Sequence, residues 1–189
     1  MELIETGGIV IATQGYGTYS SIDLLTPEYG ILHWYNDQVL DNSIDYLFDE
    51  IHATGRRNTV TACNFNSVKV ITHSSDILKR NRSYEYAVLF AKVFRSIVFD
   101  GTPLGNLFDL TKQTIKNFSL GFNPEIVTIK ALYLICRHEG YAVDSLWINS
   151  LSSKNKALAL QIIRCKTNIE LPKTSKIILK SLRDWILSI

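Results

Sequence analysis

The stretch from Glu5 to Leu32, ETGGIVIATQGYGTYSSIDLLTPEYGIL, places the tightest limit on what this chain can fold into. Gly7 to Thr13 is a short apolar run rich in β-branched residues, without the length or the caps of a helix. Gly15-Tyr16-Gly17 interrupts it, because glycine takes positive φ at little cost. Ser20 to Thr26 is a second extended run. Pro27 to Gly30 predicts a tight turn, in which Pro27 sets φ and Gly30 closes the bend. Ile31 to Tyr35 begins a third strand. Three strands joined by two short connections predict a meander, the start of a small barrel or sheet.

Ile44 to Ile51 and Thr59 to Ile71 read as two further strands, with Ala53-Thr54-Gly55-Arg56-Arg57-Asn58 as a hairpin turn between them. Five strands of this kind fit an OB-type barrel, which closes its own edges; an open five-stranded sheet fits the periodicity as well. From Ser75 onward the period becomes helical. Ser83 to Phe99 carries a broad apolar face and ends near Gly101. Thr102-Pro103 reads as an N-cap with proline at the first helical position, opening a helix to Ser119. Asn123-Pro124-Glu125 repeats that start signal, and Gly140 marks the end of a helix that is apolar nearly all round. Ser153 to Lys166 and Thr174 to Ile189 are two more helices. The expected fold class is α+β, with a five-stranded β domain at 1–77, barrel or open sheet, followed by an all-helical domain at 78–189.

Charge divides the chain at the same place. Residues 1–77 hold three basic side chains against ten acidic ones, a net of −7, and residues 78–189 hold seventeen against eight, a net of +9. A polyanion should therefore prefer the C-terminal half. No apolar stretch reaches membrane-spanning length, and the N-terminus lacks the pattern of a signal peptide. Three cysteines (Cys63, Cys136, Cys165) without CxxC spacing argue against a disulfide framework and a zinc site, and point to the cytoplasm.

No catalytic pattern emerges, and the expectation is a non-enzymatic protein without cofactor or metal. His33, His52, His73 and His138 are dispersed, and no P-loop, G-x-G-x-x-G or G-x-S-x-G motif is present. Arg56 and Arg57, at the predicted strand four to strand five tip, are either a solvated turn or a contact to nucleic acid of the kind OB-folds make there. Trp34 and Tyr35 are adjacent on a strand and point to opposite faces. One belongs to the core, while the other is free to stack on a base, and Trp34 is the candidate platform. Lys130 interrupts the apolar helix 126–138, as its one wet position or as a ligand-binding cation.

Two sets of motifs resemble one family. Gly8-Ile9-Val10, Tyr16-Gly17 and Leu24-Leu25-Thr26-Pro27-Glu28-Tyr29-Gly30 stand in the order and spacing of the opening module of the bacterial RecO recombination-mediator family. Ser83–Phe99, Gly101-Thr102-Pro103, Leu107-Phe108, Pro124-Glu125 and Gly140-Tyr141-Ala142-Val143 are similar to the same family's helical domain. The resemblance covers roughly residues 5–35 and 83–145, and it, not the periodicity, favours an OB-like β-barrel over an open sheet at 1–77. It implies a DNA-repair mediator that binds DNA and single-stranded DNA-binding protein, assembles with the ring protein RecR in the RecFOR pathway, and assists recombinase loading or strand annealing. It also implies that a basic residue and an apolar groove on the helix 126–138 receive the acidic, hydrophobic C-terminal tail of the single-strand-binding protein. Counting back from the Gly-Tyr exit places Lys130 there, beside Ile126 and Arg137, with Lys112 and Lys116 widening the positive patch. Two departures stand out. Asn36-Asp37-Gln38 replaces a basic stretch of the family, and Asp144 to Asn155 carries no cysteine where many members hold a zinc module. The acidic first domain keeps a second reading open, a protein-only adaptor of the recombination machinery that does not touch DNA.

Overall fold

The computed structural model describes residues 2–16, 19–36, 47–167 and 175–189. The expected turn residue Gly17, the Asp37-Gln38 pair, strand residues 44–46 and the expected helix start at Thr174 lie outside the described residues. The chain is α+β, with five strands followed, among the described residues, by seven α-helices. It divides into two compact units, Met1–Ser74 with Phe99–Lys112, and Ser75–Val98 with Gln113–Ile189.

The first unit is a sheet of β1 (Glu2–Tyr16), β2 (Tyr19–Thr26), β3 (Gly30–Asn36), β4 (Glu50–Arg57) and β5 (Ala62–Thr72). The ladder runs β1-β2-β3-β5-β4 and closes as a barrel. All pairs are antiparallel except β3 with β5. One long strand makes closure possible. The first half of β1 pairs with β4 (Glu2↔Arg57 to Ile9↔Glu50), and the second half pairs with β2 (Ile9↔Leu25 to Tyr16↔Tyr19). The register shifts between Val10 and Ala12, and such a bulge bends a strand and tightens its twist. Alternate residues then face one core: Ile4, Val10, Ile22, Leu24, Leu32, Trp34, Ile51, Ala53 and Cys63.

Of the expected hairpin turn at 53–58, residues 53–57 belong instead to strand β4, and the chain turns later, between Arg57 and Ala62. Gly55, read as a turn residue, has another reason to be glycine. A Cβ there would lie 2.1 Å from the Asn64 carbonyl oxygen and 2.5 Å from the Trp34 ring. Its missing side chain lets β5 and the indole approach.

Thr102-Pro103 does not open a helix either. Helix α3 begins at Asn106, and residues 99–105 lie along the barrel, with Leu104 N–H donating to Pro27 O at 3.2 Å. Gly101 (φ +73°) and Gly105 (φ +49°) both take left-handed backbone, which carries the segment through two bends before the helix.

The second unit holds α1 (Ser75–Leu78), α2 (Asn81–Ile97), the latter half of α3 (Asn106–Ser119), α4 (Pro124–His138), a π-turn at Val143–Trp147 running into α5 (Ile148–Ser150), α6 (Ser153–Arg164) and α7 (Ser175–Ile186). Helix α4 is central, with eleven buried residues from Pro124 to Cys136. Its ends follow the sequence signals. The Asn123 side chain accepts from the N–H groups of Glu125 and Ile126, and Pro124 occupies the first turn. At the far end Gly140 (φ +80°) donates to Arg137 O and Tyr141 donates to Cys136 O, the two bonds of a Schellman cap. Phe90, Phe94 and Phe118 pack together beneath it, with ring centroids 5.8 and 6.4 Å apart. Among the described residues no helix is long and apolar enough to cross a membrane.

Candidate functional site

The barrel sorts the two adjacent aromatics by the strict alternation of a strand. Trp34 is fully buried and stacks on Phe65 at 4.8 Å, so it is not the base platform expected from the sequence. Its indole Nε1 finds no hydrogen-bond partner among the described residues. Tyr35 is the outward residue, 46% exposed. The registers Leu3↔Arg56, Arg56↔Asn64 and Tyr35↔Asn64 set four exposed residues in one row across β1, β4, β5 and β3. With strands about 4.8 Å apart, Arg56 and Tyr35 flank Asn64 over roughly 10 Å. An aromatic face, a guanidinium and an amide on one such row suit a base, a phosphate and a base edge respectively.

Arg57 does something different from its neighbour. Its Nε donates to Thr59 O and Val60 O at 3.2 and 3.1 Å, and its Nη2 donates to Val60 O at 2.5 Å. The guanidinium lies 5.2 Å from the Tyr29 ring centroid, and Nη1 stands 3.8 Å from Glu2. Arg57 thus clamps the β4–β5 turn, and of the two arginines Arg56 is the one whose side chain is exposed.

The histidines are paired with carboxylates. His33 lies between Asp23 (2.7 Å) and Asp100 (3.0 Å), His73 contacts Asp49 (2.8 Å), His52 contacts Glu5 (3.2 Å) and His138 contacts Glu139 (3.4 Å). Among the described residues no group of three or more His, Cys, Asp or Glu side chains is arranged to hold a metal ion. Burial pushes the thiols of Cys63 and Cys136 up to about 11 and about 12, which suppresses the reactive thiolate.

The residues expected to hold an acidic tail differ in burial and in what they bond. Ile126 is fully buried in the core and offers no face to a ligand. Lys130 is half-buried, and its Nζ donates to Cys165 O, which ties α4 to the end of α6. Arg137 lies over Tyr133 and pairs with Asp144 at 3.4 Å. Lys112 belongs to the first unit, where it bonds Glu50 at 2.7 Å, and Lys116 is exposed on the second.

Two features of this unit were not foreseen. Glu125, 2% exposed, accepts hydrogen bonds from Arg82 (2.6 Å), Tyr86 (3.0 Å) and Ser175, joining the starts of α2, α4 and α7. Burial alone would raise its pKa, but these three donors outweigh it and hold the carboxyl below its ordinary value. Because its oxygens accept from all three partners, Glu125 acts as a staple rather than as a base. Beside it, α2 and α7 enclose an open groove of about 290 Å³. Tyr86, Leu89 and Leu179 line it, with Lys176, Lys180 and Arg183 on one side against Glu85 on the other. The three cations stand at i, i+4 and i+7, a straight stripe about 10 Å long on one helix face. That K-x-x-x-K-x-x-R spacing is legible in the sequence; what it faces is not.

No family model matches the chain, and no curated protein matches it. Among solved structures it is similar to an aspartyl tRNA synthetase from Entamoeba histolytica at 10% identity and a TM-score of 0.31, covering 74% of this chain and 34% of that one. The chain therefore spans about a third of that protein's length. At such a score the likeness carries no argument about fold or function.

Proposed function

We propose that the chain is a non-enzymatic DNA-repair mediator of the RecO kind, which binds DNA and the acidic tail of a single-stranded DNA-binding protein and assists recombinase loading or strand annealing. The observation that carries this reading is the ladder β1-β2-β3-β5-β4 with its single parallel pair. We read it as an OB-type barrel, an architecture that commonly serves oligonucleotides. The N-terminal phrase ending in Leu24-Leu25-Thr26-Pro27-Glu28-Tyr29-Gly30 and the basic helical unit that follows support the same reading. On the barrel, Tyr35, Asn64 and Arg56 supply the strand contact. On the helical unit, the apolar groove flanked by Lys176, Lys180 and Arg183 suits an acidic tail with a large apolar side chain better than the region around Lys130, where Ile126 is buried. The acidic exterior of the barrel is left for a ring protein of the RecR type.

The test is fluorescence anisotropy with a labelled single-stranded oligonucleotide and, separately, a labelled acidic tail peptide. Oligonucleotide affinity is expected to fall steeply between 50 and 200 mM salt, as counterion release requires. Lys180→Glu is expected to weaken peptide binding about tenfold. Absence of both interactions at low salt refutes the proposal. The net charge of −7 on the first half favours a second reading, a protein-only adaptor. In that case peptide binding persists while the oligonucleotide shows no affinity at any salt.

A further inference from the structure

His33 stands between two carboxylates that come from different parts of the first unit. Nδ1 lies 2.7 Å from Asp23 Oδ1, directly across the β2–β3 ladder, and Nε2 lies 3.0 Å from Asp100 Oδ2, in the segment that follows α2. A neutral imidazole has one N–H and one lone pair, so it donates to one carboxylate and turns a lone pair on the other. Only the imidazolium donates to both. Asp23 is almost buried and Asp100 about half exposed, so the contact to Asp100 is the part that water can replace.

Further contacts hold this segment to the barrel. Leu104 N–H reaches Pro27 O at 3.2 Å, and Leu104 is buried. The Thr102 backbone lies so close to Gly30 (φ +68°) that a Cβ there would be 2.3 Å from Thr102 O. Gly101 rests on Val60 and Thr61 of the turn that Arg57 clamps. Among the described residues the charged groups bonded to the His33 ring are Asp23 from β2 and Asp100 from the segment; its backbone pairs with Ala62 of β5, and its N–H donates to Thr61 O at 2.7 Å.

We propose that residues 99–105 form a proton-controlled strap, clamped to the barrel while His33 is an imidazolium bridging Asp23 and Asp100 and loosened when that proton leaves. The direction of titration agrees. Burial by itself lowers the His33 pKa, but hydrogen bonds and charges from Asp23 and Asp100 outweigh it and raise the group above 6.5. A raised folded pKa means the clamp is complete below about 6.5 and is lost as pH rises through the higher folded value. The strap acts on the turn carrying Val60, next to exposed Arg56, so its release bears on the barrel face whatever partner that face takes.

The experiment uses the full chain and no ligand. The His33 imidazole is titrated by NMR, and backbone amide exchange is followed for 99–107 and for α4 between pH 6 and pH 9, corrected for intrinsic rates. His33 is expected to titrate above 6.5, and protection of 101–105 to fall about tenfold for each unit by which its pKa is raised, with α4 unaffected. Asp100→Asn is expected to bring the titration back toward 6.5 and abolish the pH dependence of the strap. A His33 that titrates at or below 6.5, or strap protection that stays constant through the titration of the unmodified chain, overturns the proposal. Neither readout depends on DNA or peptide binding, so failure here leaves the functional reading standing and the reverse.

Discussion

The two units reach a fixed shape by different means, and their charges run against what their folds suggest. Counted by unit, residues 1–74 with 99–112 hold four basic and eleven acidic side chains, a net of −7, while 75–98 with 113–189 hold sixteen and seven, a net of +9. The barrel, which the proposed function assigns to nucleic acid, is the acidic one. Any phosphate contact it makes must therefore be local, through Arg56 beside Tyr35, and not through a broad field. The helical unit carries the field and, in the α2–α7 groove, an apolar seat under it. The barrel is held by ladder bonds and close backbone approach. The helical unit is held by capped ends and one buried carboxylate. The same contrast divides their titrations: His33 strengthens the first unit on the acid side, and Glu125 strengthens the second on the alkaline side.

Gly55→Ala should separate the units most sharply. The added methyl meets the Asn64 carbonyl and the Trp34 ring, and neither is the far end of a flexible side chain. Overpacking of this kind commonly destabilises by about 1–3 kcal/mol. With a backbone oxygen as the obstacle, a loss of about 3–4 kcal/mol is expected for the barrel. Urea denaturation followed by hydrogen exchange of β4 and α4 should show the barrel weakened and α4 far less affected. Equal weakening of both would mean that the units do not behave separately.

Glu125→Ala reverses the pattern. It leaves buried Ser175 without its acceptor, whereas half-buried Tyr86 at the groove and Arg82, 60% exposed, can turn to water. That partial escape puts the expected loss at about 2–3 kcal/mol, at or below the roughly 3–5 kcal/mol of a fully buried pair. The native carboxyl has a depressed pKa, so its contribution is present above about 4.5 and disappears as pH falls through the lower folded value. Acid melts of the native chain and of the variant should converge at the lowest pH. Parallel curves down to pH 2 would show that the ionised carboxylate is not what holds α2, α4 and α7 together.

The helical unit was the more legible in sequence because its signals are local. Asn123-Pro124-Glu125 and Gly140 are cap residues whose chemistry is decided within one turn, and the structure uses them as such. The barrel's strands were legible as strands, but its glycines were not legible as contacts. Gly55 in Thr54-Gly55-Arg56 reads as a turn, and only the non-local arrival of Trp34 and Asn64 shows why a strand needs glycine there. Thr102-Pro103 failed for a related reason, since the backbone that a helix start would use is committed to Pro27 on a distant turn. At the candidate sites, alternation along β3 required one of Trp34 and Tyr35 to face out, yet burial alone decides which. The groove beside α7 combines a readable basic stripe with leucines brought from α2, and no spacing rule encodes that meeting.

The smallest effect tests the outward aromatic of the barrel. Tyr35 is 46% exposed, and its removal should change stability by no more than about 0.5 kcal/mol, as for surface positions generally. Base stacking on an aromatic contributes about 1–3 kcal/mol per base. The acidic surroundings oppose the approach of the strand, so the low end applies, and about a fivefold loss of oligonucleotide affinity is expected for Tyr35→Ala at fixed salt. The slope of log affinity against log salt should stay unchanged, because no cation has been removed. Arg56→Ala should instead flatten that slope by about one phosphate contact. If Tyr35→Ala binds the oligonucleotide as tightly as the native chain while Lys180→Glu does not, the strand lies on the basic helical unit and the barrel's open face serves a protein.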